Sequence, residues 1–140
     1  PPYAAAADNN IKAFVSRTKL TLEYDEEKKK ISIWTPAGNK AVLDDDSKTI
    51  LLQDQHGNKV ELSDSGILLD SPKDISLNAK GKISLQAVGN VELAAKADFK
   101  AGALNISQQA NVSFTAKGSA SAELSASGQT TVKGALVMIN

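Results

Sequence analysis

Ile75-Ser76-Leu77-Asn78-Ala79-Lys80-Gly81-Lys82 is followed at once by Ile83-Ser84-Leu85-Gln86-Ala87-Val88-Gly89-Asn90, and then by Val91-Glu92-Leu93-Ala94-Ala95-Lys96-Ala97-Asp98. The period is eight residues, and the octads read apolar-x-apolar-x-Ala-x-Gly-x, with Ala97 in the glycine place of the third. Residues of one parity are apolar or small, whereas Ser76, Asn78, Lys82, Ser84, Gln86, Asn90 and Glu92 hold the other, so an extended chain here has one dry and one wet face. A single strand from Ile75 to Ala103 is far longer than the usual 3 to 10 residues. The chain must therefore bend once per octad, and Gly81 and Gly89, lacking a Cβ, are where it can. Three such strands and three corners close a triangular turn of about 24 residues, apolar side inward. Bulky aliphatics then sit mid-face, with alanine and glycine toward the converging corners.

Downstream, Phe99 opens a fourth octad and Ala101 continues it, after which the apolar parity slips by one residue to Leu104, Ile106, Ala110, Val112, Phe114, Ala116 and Gly118. A slip turns every later side chain over, so a bulge or tight corner near Gly102 is expected to absorb it. After a two-residue insertion Ala122, Leu124, Ala126 and Gly128 repeat the octad, and Thr130, Val132 and Gly134 begin the last. The expected interior is Ile75, Leu77, Ile83, Leu85, Val91, Leu93, Phe99, Leu104, Ile106, Val112, Phe114, Leu124 and Val132. The expected corner glycines are Gly81, Gly89, Gly118, Gly128 and Gly134. Ala135 to Ile139 are apolar on both parities, as a strand end facing water would not be.

Upstream, from Ile11 to Ser71, short alternating runs such as Leu20, Leu22 and Tyr24, or Ile31 and Ile33, are separated by turn signals. Pro36-Ala37-Gly38-Asn39, His56-Gly57-Asn58 and Ser63-Asp64-Ser65-Gly66 are the turns. Gly38-Asn39-Lys40 recurs nineteen residues later as Gly57-Asn58-Lys59. At that offset Leu22, Ala41 and Val60 align, as do Tyr24, Leu43 and Leu62, then Ile31, Ile50 and Leu69, marking a repeated strand-turn-strand unit. Three zones result: a small, polar linker over residues 1–10, a base of β-hairpin repeats over 11–71, and an octad-repeat shaft and tip over 72–140.

Unpaired strand edges decide how the shaft is wound, because open rows of N–H and C=O groups invite aggregation. One chain could wind the prism alone; in an intertwined trimer each strand lies between strands of the other two chains and only the ends stay open. The fold class expected is all-β: an intertwined homotrimeric triangular β-helix, preceded by short β-hairpin repeats. Roughly eight octads at about 4.8 Å per strand give a shaft of about 40 Å. Such a protomer has little core of its own, and no stable monomer is expected.

Composition agrees with a thin object: aromatics are only 4% of 140 residues, and 16 basic residues balance 16 acidic ones. Large side chains normally fill a globular interior, and no charge excess argues for a nucleic-acid partner. Without cysteine there are no disulfides or thiolate sites. No apolar run reaches the roughly 18 residues of a membrane span. The chain opens Pro1-Pro2-Tyr3, and Ala4 to Ala7 lack the flanks of a signal peptide; it reads as part of a longer protein.

Candidate chemistry is sparse, and no catalytic, cofactor-binding or metal-binding residue is expected. His56, the sole histidine, stands in a turn without an oriented partner. Asp44-Asp45-Asp46 lacks the alternating oxygen ligands and closing glutamate of a calcium loop, and no serine lies in a Gly-x-Ser-x-Gly elbow. Isolated acids such as Glu92, Asp98 and Glu123 do not make the carboxylate cluster of a polysaccharide-degrading enzyme. Trp34 and Phe14 are expected to be buried near the base, or Trp34 to lie on an unpaired edge. Between Ala101 and Val132 only Lys117 and Glu123 are charged. Either a low-friction distal surface or crowding of three chains at the corners fits that pattern.

Asp44-Asp45-Asp46, Gly57-Asn58-Lys59, Asp64-Ser65-Gly66-Ile67 and Ser71-Pro72-Lys73-Asp74-Ile75, running into the Ala-x-Gly octads, resemble the C-terminal region of VgrG spikes and the needles of contractile-tail phage central spikes. The resemblance covers about residues 11 to 140. It implies a non-enzymatic homotrimeric needle of a contractile injection machine, whether type VI secretion, phage tail or an extracellular relative, driven by a sheath through a target cell envelope. It further implies assembly in the bacterial cytoplasm before secretion or delivery, or a place in a virion tail. Upstream baseplate or tube proteins and transient contact with the target membrane follow as partners. A cone-shaped PAAR-repeat protein is the partner expected at the tip, docking on Leu136, Val137, Met138, Ile139 and Asn140. The histidine metal site that ends some phage spikes has no counterpart, since no histidine stands near the end. A trimeric adhesive or receptor-binding fibre is the alternative.

Overall fold

The computed structural model describes residues 7–139. Asn140 and residues 1–6 of the expected linker lie outside them. Every regular element is a strand: β1 (Ile11–Val15), β2 (Thr21–Asp25), β3 (Lys30–Trp34), β4 (Lys40–Asp44), β5 (Thr49–Gln53), β6 (Lys59–Ser63) and β7 (Gly66–Asp70). They form one antiparallel sheet in sequence order, a meander in which each strand pairs with its predecessor. The all-β expectation and the hairpin repeats hold.

Loop length sets the register. At one end of the sheet the pairs Val15↔Thr21, Trp34↔Lys40 and Gln53↔Lys59 each close a five-residue loop. At the other end Asp25↔Lys30 and Asp44↔Thr49 close four-residue loops. A five-residue loop, a four-residue loop and two five-residue strands add to nineteen residues, the offset visible in the sequence. The last turn breaks the rule. Ser63 pairs with Gly66 across only Asp64 and Ser65, so Ile67, not Leu69, continues the row of Ile31 and Ile50. The expected alignment of Leu69 with those two is corrected by this shortening; Leu69 pairs with Val60 instead.

The three five-residue loops are copies of one design. Ser16 N–H donates to the Leu20 carbonyl (2.9 Å), Thr35 N–H to that of Asn39 (3.0 Å) and Asp54 N–H to that of Asn58 (3.0 Å). The fourth residue of each is left-handed: Lys19 at φ 68°, Gly38 at 101° and Gly57 at 90°. Glycine accepts that conformation without a Cβ clash. Lys19 holds it with a side chain, which is why the first loop carried no glycine signal and was missed.

Contacts divide the chain into two compact units, residues 1–84 and 85–140. After Asp70 no described residue belongs to a strand, yet the chain is not featureless. It bends at Pro72–Lys73, Lys80–Gly81, Val88–Gly89, Lys96–Ala97, Leu104, Asn111–Val112, Ser119–Ala120, Ser127–Gly128 and Ala135–Leu136. Successive bends end eight residues apart, except for a single seven-residue step from Ala97 to Leu104 that contains Gly102.

Two expectations change with those positions. The even spacing from Val112 to Leu136 leaves no place for a two-residue insertion. Gly118 and Gly134 each stand one residue before a bend, and the bends themselves are completed by Ala120 and Leu136. A Cβ on Gly118 would run into the Ser121 carbonyl, and one on Gly134 would lie 3.1 Å from the Leu136 carbonyl oxygen. By contrast Gly81, Gly89 and Gly128 do fall at bends, but none has positive φ and nothing of this chain lies within 4 Å of a Cβ built there. Within one chain, then, left-handed backbone does not explain those glycines.

Candidate assembly surface

Alternation along five-residue strands, in this register, sorts the side chains of the sheet into two faces. On one face a cross-strand row runs Phe14, Leu22, Ile33, Ala41, Leu52, Val60, Leu69 through all seven strands. Two positions along lies a second row on the same face: Lys12, Tyr24, Ile31, Leu43, Ile50, Leu62, Ile67. Only Lys12 interrupts it, and its ammonium turns to Glu26 at 2.8 Å. The other face is mixed: Val42, Leu51 and Leu68 share its central row with Glu23, Ser32 and Glu61, and Thr21, Asp25 and Ser32 are its buried residues.

The apolar face has no cover. No hydrophobic residue among those described is buried. Phe14 is 72% exposed, against the burial expected for it. Trp34 is half-buried and paired on both sides, to Thr21 and to Lys40, so it lies on an interior strand and not on an unpaired edge. Ile33, Ala41, Leu52, Val60 and Leu69 line an open trough of about 640 Å³, to which Ile75, the first of the expected interior residues, adds its side chain.

Surface area gives the scale of what is missing. The chain exposes 13303 Å², whereas a compact monomer of 14.7 kDa would expose roughly 6,900 Å². Leu77, Leu85, Leu93, Phe99, Phe114, Leu124 and Val132 are all between 64% and 77% exposed, and Ile83, Val91 and Ile106 between 53% and 58%. Leu104 and Val112 differ from the rest of the expected interior: both stand at bends and are 97% exposed. At the tip Leu136, Val137, Met138 and Ile139 are 78%, 46%, 76% and 92% exposed.

Polar groups at the loops organise the backbone. Asp54 accepts from the Asn58 side-chain amide (2.7 Å), His56 N–H (2.8 Å) and Asn58 N–H (2.9 Å). The Asn58 side chain foremost, then those backbone donors, hold its carboxyl below the ordinary 3.8. Asp44 is lowered chiefly by Ser47 N–H, 3.0 Å from its Oδ1. His56 is exposed, its Nε2 3.2 Å from Gln55 Nε2. Among the described residues no three His, Asp or Glu side chains are placed to share a metal ion.

A sheet without a core, an uncovered apolar face and a distal chain that bends at fixed intervals without intrachain ladders define a class: β-structured assembly domains. Residues 30–140 match the phage baseplate V C-terminal trimerisation domain, and the chain belongs to that family. The family gives it a structural role in a tail or tail-like spike and supports a homotrimer. No curated protein matches the chain.

Proposed function

We propose that this chain is the needle of a membrane-puncturing spike, with three copies intertwined over the octads into a triangular β-helix and the apolar faces of three hairpin sheets meeting at its base. The observation that carries the reading is that, in a chain 41% hydrophobic, no hydrophobic residue among those described is buried. Its excess of roughly 6,000 Å² over a compact monomer far exceeds the roughly 800 Å² per partner of an ordinary association. It is on the scale of an obligate assembly. In the intertwined arrangement neighbouring strands belong to different chains, which accounts for a distal chain that is bent and extended yet unladdered. Stiffness then comes from threefold repetition of every layer, and the work of penetration from a contracting sheath.

The same reading makes Leu136 to Asn140 the docking surface for a PAAR-type cap, since apolar side chains and open strand edges at a blunt end call for a cover. Upstream baseplate or tube domains, cytoplasmic assembly and delivery across an envelope complete the proposal, in a type VI, phage-tail or related machine. Light scattering of the purified chain tests its foundation. About three times 14.7 kDa is expected; a monomer overturns the intertwined needle.

A further inference from the structure

Aligned on their bends, the octads read Ile83-Ser84-Leu85-Gln86-Ala87 after Gly81 and Ile106-Ser107-Gln108-Gln109-Ala110 after Leu104. Gln108 thus occupies the place of Leu85. The same place is filled by Leu77, Leu93, Leu124 and Val132 elsewhere, and by Ala101 and Ala116 in the octads immediately before and after. Those two octads also exchange the aliphatic that precedes this place for Phe99 and Phe114. In octad order the substitutions are centred on Gln108: alanine fills its place in the octads before and after, and each of those carries an aromatic residue two positions earlier. Among the described residues no hydrogen bond engages its amide.

We infer that in the trimer three Gln108 side chains enclose a small chamber on the threefold axis that binds a chloride-sized monovalent anion; this rests on the intertwined reading above. A buried amide must be hydrogen-bonded, and Leu-type neighbours offer nothing. Each glutamine has two N–H donors. One can pass around the ring to the next carbonyl, which leaves three equivalent N–H groups converging on the axis. A water molecule has only two lone pairs and cannot accept all three, whereas a spherical anion can. Aromatic ring edges, which carry partial positive charge, are suitable walls for it. Neither a cation nor a multiply charged oxyanion suits a site of neutral donors with no counter-charge.

The test uses the full chain, crystallised from sodium bromide after its mass in solution has been measured. A trimer with one anomalous bromine peak on the axis at the height of Gln108, lost in Gln108→Leu, is the expected result. A trimer without that peak, or with a peak that persists in Gln108→Leu, overturns the chamber and leaves the needle standing. A monomeric mass overturns the needle itself, and the chamber with it. Should Gln108→Leu fail to assemble, the position of the wild-type peak decides alone.

Discussion

Lys19, Gly38 and Gly57 occupy one left-handed position in three copies of a loop, and only the lysine carries a Cβ there. A left-handed non-glycine residue costs roughly 1 to 2 kcal/mol. Lys19→Gly should therefore raise stability by about 1 kcal/mol per chain, less the added freedom of glycine in the unfolded state, while Gly57→Ala should lower it by a similar amount; urea titration distinguishes the two. The first residues of the loops make a second comparison. Ser16 Oγ accepts from Leu20 N–H and Asp54 Oδ1 from Asn58 N–H, but the equivalent Thr35 Oγ1 is buried without a partner. Thr35→Asp is expected to supply the missing cap and raise the midpoint, by about 0.5 to 1 kcal/mol on the scale of a net hydrogen bond. Acid should act on the same loops. Because Asp54 and Asp44 titrate below 3.8 when folded, their stabilisation is full above the unfolded value and is lost as pH falls through the lower folded one. Melting temperature should drop on going below about pH 4, and Asp54→Asn should flatten that arm.

At the level of strands and octads, parity is the quantity to test. Leu85→Asp would set three carboxylates in one dry layer and should abolish assembly, because unpaired buried charge costs far more than the aliphatic burial it replaces. Ser84→Lys, one residue away on the wet face, should assemble with a melting temperature close to wild type. A soluble Leu85→Asp trimer with unchanged melting would show that Leu85 faces outward. Much of this level was legible in the sequence. Period-2 alternation and the glycine turns at Gly38 and Gly57 revealed the hairpin repeat, and the octads revealed where the chain bends. What escaped had physical causes. Arg17-Thr18-Lys19 makes its turn without glycine, the two-residue turn after Ser63 alters the count without altering the alternation, and alanine can complete a bend where glycine was expected. A glutamine in a leucine place was invisible until the bends fixed the alignment.

For the assembled molecule, removing residues 136–140 takes away the expected docking surface and none of the interior layers before it. The truncated chain should keep a mass about three times its own and lose retention of a PAAR-type cap in a pull-down. A truncated trimer that binds its cap as well as the full chain would move that surface elsewhere. Assembly should depend on protein concentration, since folding and association are inseparable for a chain that buries so little alone. The nineteen-residue unit has a consequence of another kind. Excising residues 40–58 would join Asn39 to Lys59 and set Val60 opposite Ile33 and Leu62 opposite Ile31, so both apolar rows would survive the cut. Length in such a base changes without disturbing either row when whole modules are gained or lost, each worth two strands and about 10 Å of reach, whereas a single residue inserted within a strand turns its later side chains to the opposite face.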